Sequence, residues 1–512
     1  MKRIASLVLI AAFVFGAAVT AKADGIDVKV KGQWDFAFGW TNNKKFRKSY
    51  MGSAIHGDGY ERPRDYDNFI ARQRIRTQVN FITSEYLQGV LMFEIGSIDW
   101  GNKGTGGALD TDGVNVETKR AYLDWIIPNT EISVRMGLQG VALPATPMGS
   151  PVLEADVAGV VIASPITDWL SVSLMWLRPF DIDYNDGASL NPGKRDDLSD
   201  ETDIFGIVLP FEFEGVAFTP WFLYGFIGAN SGYYDYLFDS DRYEQDGTAI
   251  IQHQARSKGW WLGAHLELSL FEPLLLNLEG VYGNISKTDL TNLGLYQGIP
   301  ANGELHQFKM SGWYIGATLD YQLDCMTPGI FGWYASGDNL DDFNDGRIGR
   351  LPMVGIDGGN FSATTFGAAG YFGVGNGDDW DTVMGSPAGT WGVGLQLADI
   401  SFIEDLTHTL RVAYYRGTND SALVEQKGGY YAPKFTSDAL YLTDKDYVWE
   451  VNFDHHYQIY DNLEMVVELG WLRLHSDKDT WASDGLGGHA QTKGLKGSDN
   501  AWKGEVNFRY SF

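Results

Sequence analysis

The chain of 512 residues carries a single cysteine, Cys325, so an intrachain disulfide is excluded and oxidation cannot be what stabilises it. Packing within a turn is the role expected for that side chain. Long apolar runs are also missing beyond the first two dozen residues, which excludes a membrane protein built of helices. Positive charge is scarce: 39 Lys and Arg stand against 66 Asp and Glu, a formal net charge of -27, so nucleic acid is excluded as a partner. Stretches that hold a helical period are few. Glycine and aromatics are plentiful instead, with 62 Gly, 26 Tyr, 28 Phe and 17 Trp, a composition suited to one large β-domain.

The start of the chain has the form of an export signal. Lys2 and Arg3 precede an apolar run from Ile4 to Val19, and Ala21-Lys-Ala23 supplies small residues before a cleavage site. Residues 1–23 are therefore expected to be a secretory signal peptide and 24–512 a single domain. Losing Lys2, Arg3 and Lys22 with that segment takes the formal charge from -27 to -30.

The end of the chain sets the fold. Trp502, Gly504, Val506, Phe508, Tyr510 and Phe512 alternate with Lys503, Glu505, Asn507, Arg509 and Ser511. A period of two is a strand, and a strand apolar on one side and charged on the other divides two environments. Ile26 to Trp40 repeats the pattern. So do Phe69 to Ile82 with Leu87 to Ile98, Thr118 to Ile127 with Ile132 to Gln139, and Val157 to Ser164 with Leu170 to Leu177. Further pairs are Asp203 to Leu209 with Val216 to Phe226, Trp260 to Leu270 with Leu274 to Ile285, and Gly312 to Tyr321 with Gly329 to Ala335. The last are Thr390 to Leu397 with Leu406 to Tyr415, and Asp446 to Asp454 with Leu463 to Leu472. Short turns within pairs alternate with long loops rich in Gly, Asp, Asn and Ser, up to the stretch from Ser336 to Gly389. The expected fold is thus all-β: a transmembrane antiparallel up-and-down β-barrel of 18 strands, with 16 the alternative. Its turns are periplasmic and its loops external. A barrel this wide cannot be filled by its own wall side chains and encloses an aqueous channel. The cell outer membrane of a Gram-negative bacterium is the expected location, with outer-membrane lipid as a partner.

Phasing places Arg72, Arg74 and Arg76 on the lumenal face of the second strand, with Gln78 and Asn80. Arg120 and Arg135 are lumenal by the same test, and so are Glu94 and Asp124. Arginine stays ionised, so these five form either a positive pore wall or a structural ladder paired with Glu94 and Asp124. The segment Gly140 to Asp156 follows, with Pro144, Pro147, Pro151, Glu154 and Asp156, in the position of a third long loop. Acids gather in Asp181 to Asp203, Asp235 to Asp246 and Asp338 to Asp345, which are expected to place negative charge outside the wall. The last of these lacks the spacing of a calcium loop, and no metal site or cofactor is expected.

Arg72-x-Arg74-x-Arg76, Arg120-Ala-Tyr, Val134-Arg-Met-Gly and Tyr334-Ala-Ser-Gly-Asp338 resemble segments of trimeric diffusion porins. Arg74-Ile-Arg-Thr-Gln-Val-Asn-Phe81 and Leu87-Gln-Gly-Val-Leu-Met-Phe-Glu-Ile95 are similar to the homotrimeric porins of sulfate-reducing bacteria. The resemblance spans the mature chain, with its specific motifs in the first third. It implies a homotrimer that passes ions and small hydrophilic solutes passively, with the acids Glu154 and Asp156 of the third loop set against an arginine wall. Ala71, Gln73, Thr77, Lys119 and Ala121, small or polar at outward positions, mark the expected subunit contact. The ending Phe508-Arg-Tyr510-Ser-Phe512 resembles the terminal signature of outer-membrane barrels, which implies that the barrel assembly machinery reads those aromatics. A substrate-selective channel for sugars or organic acids is one alternative, and an exported carbohydrate-binding protein or enzyme another. Against an enzyme, the sequence shows no nucleophile motif and no metal-spaced histidines, with His455-His456 in an expected turn.

Overall fold

The computed structural model describes residues 19–23, 25–42, 67–113, 116–181, 201–228, 233, 251–253, 256–292, 305–356, 361, 363, 386–427, 441–482 and 498–512. Eighteen strands form its wall. The first are β1 Ile26–Asn42, β2 Asp67–Ser84, β3 Leu87–Asp99, β4 Val116–Ile126, β5 Ser133–Ala142 and β6 Leu153–Thr167. Next come β7 Leu170–Asp181, β8 Glu201–Val208, β9 Val216–Ile227, β10 Ser257–Phe271, β11 Leu274–Asn292 and β12 Leu305–Tyr321. The set closes with β13 Thr327–Ala335, β14 Thr390–Ile403, β15 Leu406–Gly417, β16 Tyr447–Tyr460, β17 Leu463–His475 and β18 Ser498–Ser511. Each pairs antiparallel with its neighbours in the chain. β18 returns to β1, from Gln33 opposite Ser511 to Asn42 opposite Trp502, so the sheet has no open edge. Closure leaves no end strand with a free edge, as a wall in contact with hydrocarbon requires.

All eighteen expected strands are present, mostly longer than the alternation alone implies. β11 runs to Asn292 rather than Ile285, because pairing with β12 persists through Thr291 opposite Leu305 after the side chains turn polar on both faces. β6 begins at Leu153 instead of Val157, so Glu154 and Asp156 lie on a strand and the connecting loop shrinks to 143–152. His455 and His456 belong to β16, not to a turn, because the chain reverses later, at Asp461 and Asn462. Cys325 does lie in a turn, between β12 and β13, but it is exposed and packs against nothing that would bury it.

Large apolar side chains face outward and stay exposed. Trp125, Trp169, Tyr321, Tyr457 and Tyr510 ring the end with short turns, and Trp40, Phe69, Trp176, Trp313, Trp449 and Trp502 ring the other. Between the rings stand aliphatics such as Ile162, Leu174, Leu278 and Leu395. Two aromatic girdles flanking an apolar band are what bilayer interfaces select. No helix of the described residues is long and apolar enough to cross a membrane. A short strand, Val19–Ala23, lies antiparallel along Ile26 to Val30 within the expected signal segment. Residues 1–18 of that segment fall outside the described residues, as do the acidic stretches 182–200 and 235–246.

Candidate pore and its constriction

The lumen is divided by the hairpin of β5 and β6. β5 is paired with β4 only as far as Leu138, opposite Ala121, and β6 with β7 only as far as Ala158, opposite Arg178. The two strands nevertheless stay paired with each other out to Ala142 opposite Glu154. The upper part of the hairpin has therefore left the wall on both sides. Gly137, with φ 127, stands where β5 parts from β4, a conformation that side-chain-bearing residues rarely adopt. Pro144, Pro147 and Pro151 withhold N–H groups from any ladder at the tip. That tip reaches across the lumen: the Thr146 N–H donates to Glu279 Oε2 on β11 at 3.1 Å.

A second segment enters from the connection after β13. Val354 N–H donates to Val152 O at 2.8 Å, Gly355 pairs in parallel with Leu153, and the Trp261 indole N–H donates to Pro352 O at 2.8 Å. This strap occupies the place beside β6 that β7 has given up. Val141, Leu143, Val152 and Leu153 of the hairpin and Leu351 and Val354 of the strap form one buried cluster with Leu177, Leu223, Trp221, Trp261, Tyr314 and Trp333 on the inner wall. The side of the lumen beneath β7 to β13 is thus filled with apolar side chains. Flat rings fit there because glycines face them: a Cβ on Gly263 would collide with the Trp221 ring.

The other side is charged. Arg72 Nε lies 2.6 Å from Asp99 Oδ1, and Arg76 Nε 2.5 Å from Glu94 Oε2. Arg74 donates to Ser97 Oγ at 2.9 Å and sits 3.6 Å from Glu94 Oε1. Arg135 is held by both oxygens of Asp124, at 2.6 and 2.9 Å, with its guanidinium 4.4 Å from the centre of the Tyr122 ring. Asp156 takes Arg120 Nε at 2.8 Å and Lys119 Nζ at 2.9 Å. In these contacts six cations share four carboxylates, so the basic groups are not neutralised one for one.

Lys119 departs from its expected outward position. The register slips between Met92 opposite Arg120 and Phe93 opposite Thr118, leaving Lys119 as the extra residue of a bulge. A bulge turns two consecutive side chains toward the same partner, here Asp156. Asp156 thus meets cations as the third-loop pattern implies, but from a strand. Glu154 has a different role, accepting the Ser150 N–H at 3.4 Å at the base of the tip. Asp338 does not add to an external negative surface, because it is buried against Arg350 at 2.8 Å with both side chains 3% exposed. Asn339 beside it caps the short helix Leu340–Asn344.

Across the closure from β2, the inner faces of β15 to β18 carry a polar wall that the motif reading missed. Asp454, Glu468 and Glu505 stand opposite one another in register, with Glu450, Asn452 and Asn507 nearby, all buried. Arg411 lies 2.9 Å from Asp454, and Arg509 2.5 Å from Asp35. Phasing of β16 and β17 carries the same signal as phasing of β2. The abundance of acids, 66 Asp and Glu in the chain, hides that signal in the sequence. Among the described residues no group of three or more His, Cys, Asp or Glu is arranged to hold a metal ion.

At the closure, the Gly32 N–H donates to Phe512 O at 2.7 Å and the Phe512 N–H to Gly32 O at 3.0 Å. Tyr510 and Phe512 stack with ring centres 6.1 Å apart, while Phe508 stands opposite Phe36.

No protein-family model and no curated protein matches the chain. Solved structures similar to it in fold include Pseudomonas aeruginosa OpdQ, at 12% identity and TM-score 0.47, with 95% of this chain and 98% of that one covered. A BenF-like porin from Pseudomonas fluorescens Pf-5 gives 10% identity and TM-score 0.47 over 94% and 98% of the two chains. Pseudomonas aeruginosa OpdL gives 12% identity and TM-score 0.45 over 94% and 98%. At this level of likeness neither solute nor assembly carries over from them to this chain.

Proposed function

We propose that the protein is an outer-membrane porin whose water-filled channel passes ions and small hydrophilic solutes passively. The observation that carries this reading is a closed eighteen-stranded barrel, apolar and aromatic outside, with rows of charged side chains inside it. The conducting path follows the charged side, along the β2 arginines, because the hairpin and strap fill the other; Glu450, Asp454, Glu468 and Glu505 are buried and belong to the wall. The hairpin and strap narrow the path, which favours selection among small solutes over a wide sieve. The inner aromatics do not line that path, since Trp221, Trp261 and Trp333 are buried under the hairpin and strap.

Export by a cleaved leader ahead of Asp24, a homotrimer joined through the outer faces of β2 to β4, and recognition of Phe508, Tyr510 and Phe512 by the assembly machinery belong to the same proposal. Ala71, Gln73, Thr77 and Ala121 remain its outward contact positions, now without Lys119. Similarity to the porins of sulfate-reducing bacteria rests on the segments quoted above.

Purified protein in a planar bilayer tests the reading, and folded barrels that conduct nothing would overturn it. Ion preference tests the site. A lumenal Arg about 5 Å from a passing ion is worth roughly 0.8 kcal/mol even at the dielectric constant of water, about a fourfold bias. Replacing Arg72, Arg74 and Arg76 with Gln should move the reversal potential toward cations, and the shift should persist at high salt. Contributions from charges further off than a Debye length, about 10 Å at 0.1 M, fade first as salt rises.

A further inference from the structure

On the porin reading above, we infer that the tip of the lumenal hairpin is held in place by a proton on Glu279: as a neutral acid Glu279 seats the tip, and losing that proton releases it and widens the path. Glu279 is 4% exposed, on the inner face of β11 beneath the tip. Its Oε2 takes the Thr146 N–H at 3.1 Å, with Thr146 Oγ1 at 3.5 Å, while Oε1 has no partner among the described residues. Around it the seat is apolar. Tyr314, fully buried, lies beside both Glu279 and Thr146. At Gly316, opposite Glu279 in register, Tyr314 Oη and Met148 Cε stand 2.5 and 3.0 Å from where a Cβ would be, so only glycine leaves room for both.

The titratable and charged groups on the surrounding elements do not compensate a charge here. β10 offers His265, opposite Glu279 in register, whose Nε2 is 3.2 Å from Asn277 Oδ1, and Glu267, opposite Asn277, an acid that supplies no counter-charge. β12 offers Tyr314 and, further from the seat, Asp320, whose Oδ1 takes Gln396 Nε2 at 2.7 Å. The strap brings Leu351 and Val354, and Arg350 next to them is held by Asp338. No ion pair reaches Glu279 among the described residues. An ionised carboxylate in this seat would keep one N–H donor and expose its other oxygen to apolar groups, which is far costlier than burying the neutral acid. Once the tip lifts, water reaches the carboxylate and ionisation costs little. Docking therefore takes up a proton: it is favoured at low pH and lost as pH rises through the value of the docked acid.

Single-channel recording of the whole protein from acidic to alkaline pH tests this. Native channels should conduct less at acidic pH and more at alkaline pH, reversibly. Glu279→Gln, which keeps the acceptor and cannot ionise, should stay at the low level throughout. A native conductance indifferent to pH, or a Glu279→Gln variant that follows the native curve, would overturn the latch. Absence of current at every pH would instead overturn the porin reading. The latch is then read by Thr146→Cys, whose labelling relative to the exposed Cys325 should rise with pH, and a flat ratio would reject it.

Discussion

Single side chains decide where this barrel closes and what its inner surface offers an ion. A Cβ on Gly32 would run into the Phe512 ring and the Arg76 carbonyl oxygen, so the closing strand seats only against glycine. Gly32→Val should cost about 1–3 kcal/mol through overpacking, read as a lower temperature for loss of the compact band on SDS gels. Deleting Phe512 removes burial worth roughly 2 kcal/mol, too little to unfold a barrel of this size. Its expected effect is poor delivery to the outer membrane in cells, and normal delivery would reject the recognition role. In the constriction, Asp156→Asn leaves Lys119 and Arg120 without their shared carboxylate. Reversal potentials in a salt gradient should then shift toward anions, opposite to the β2 arginine replacements and by less than about fourfold per charge.

Among the elements, the hairpin of β5 and β6 and the strap after β13 are the unusual ones, since they pair with each other inside the barrel. Val152→Cys with Val354→Cys, in a Cys325→Ser background, should oxidise to a disulfide, because backbone-bonded neighbours on adjacent strands stand at bridging distance. Failure to form it in folded protein would mean that the strap is docked elsewhere. The external loops are built from smaller devices, such as the helix Lys478–Ala482. Asp477 before it accepts from the Thr480 N–H at 3.0 Å and hydroxyl at 2.7 Å. Partial burial raises the Asp477 carboxyl, but those hydrogen bonds, with Lys445 nearby, outweigh it and hold the group below its ordinary value. A depressed carboxyl contributes stability above its unfolded value and loses it as pH falls through the folded one. Protection of the 478–482 amides, corrected for intrinsic exchange, should fall at a pH below about 4 in the native chain and not in Asp477→Asn.

For the whole molecule, orientation follows from the alternation of short turns with long loops. Cys325, exposed in a short turn, faces the periplasm on this reading. A polymer-linked maleimide too large for the pore should leave intact cells unlabelled and react once the outer membrane is opened. Asp444→Cys, at an exposed turn of an external loop, should show the reverse accessibility in intact cells. Labelling of Cys325 in intact cells would invert the barrel.

The sequence alone determined which face of each strand meets lipid, because alternation has a period of two and a wall between hydrocarbon and water enforces it; it pointed to eighteen strands with sixteen open, and closure of the sheet decided for eighteen. Trp502 against Lys503 and Phe36 against Asp35 are legible one strand at a time. It also determined that Arg72, Arg74 and Arg76 face inward, but not what they meet. Tertiary structure alone decided that Arg72 meets Asp99 and Arg74 meets Ser97, because the register between β2 and β3 slips twice and no local pattern announces a slip. The same holds for Lys119, which a bulge turned away from its outward phase. The filling of one side of the lumen was likewise invisible: Thr146 and Glu279 lie 133 residues apart, and only closure of the barrel brings them to 3.1 Å.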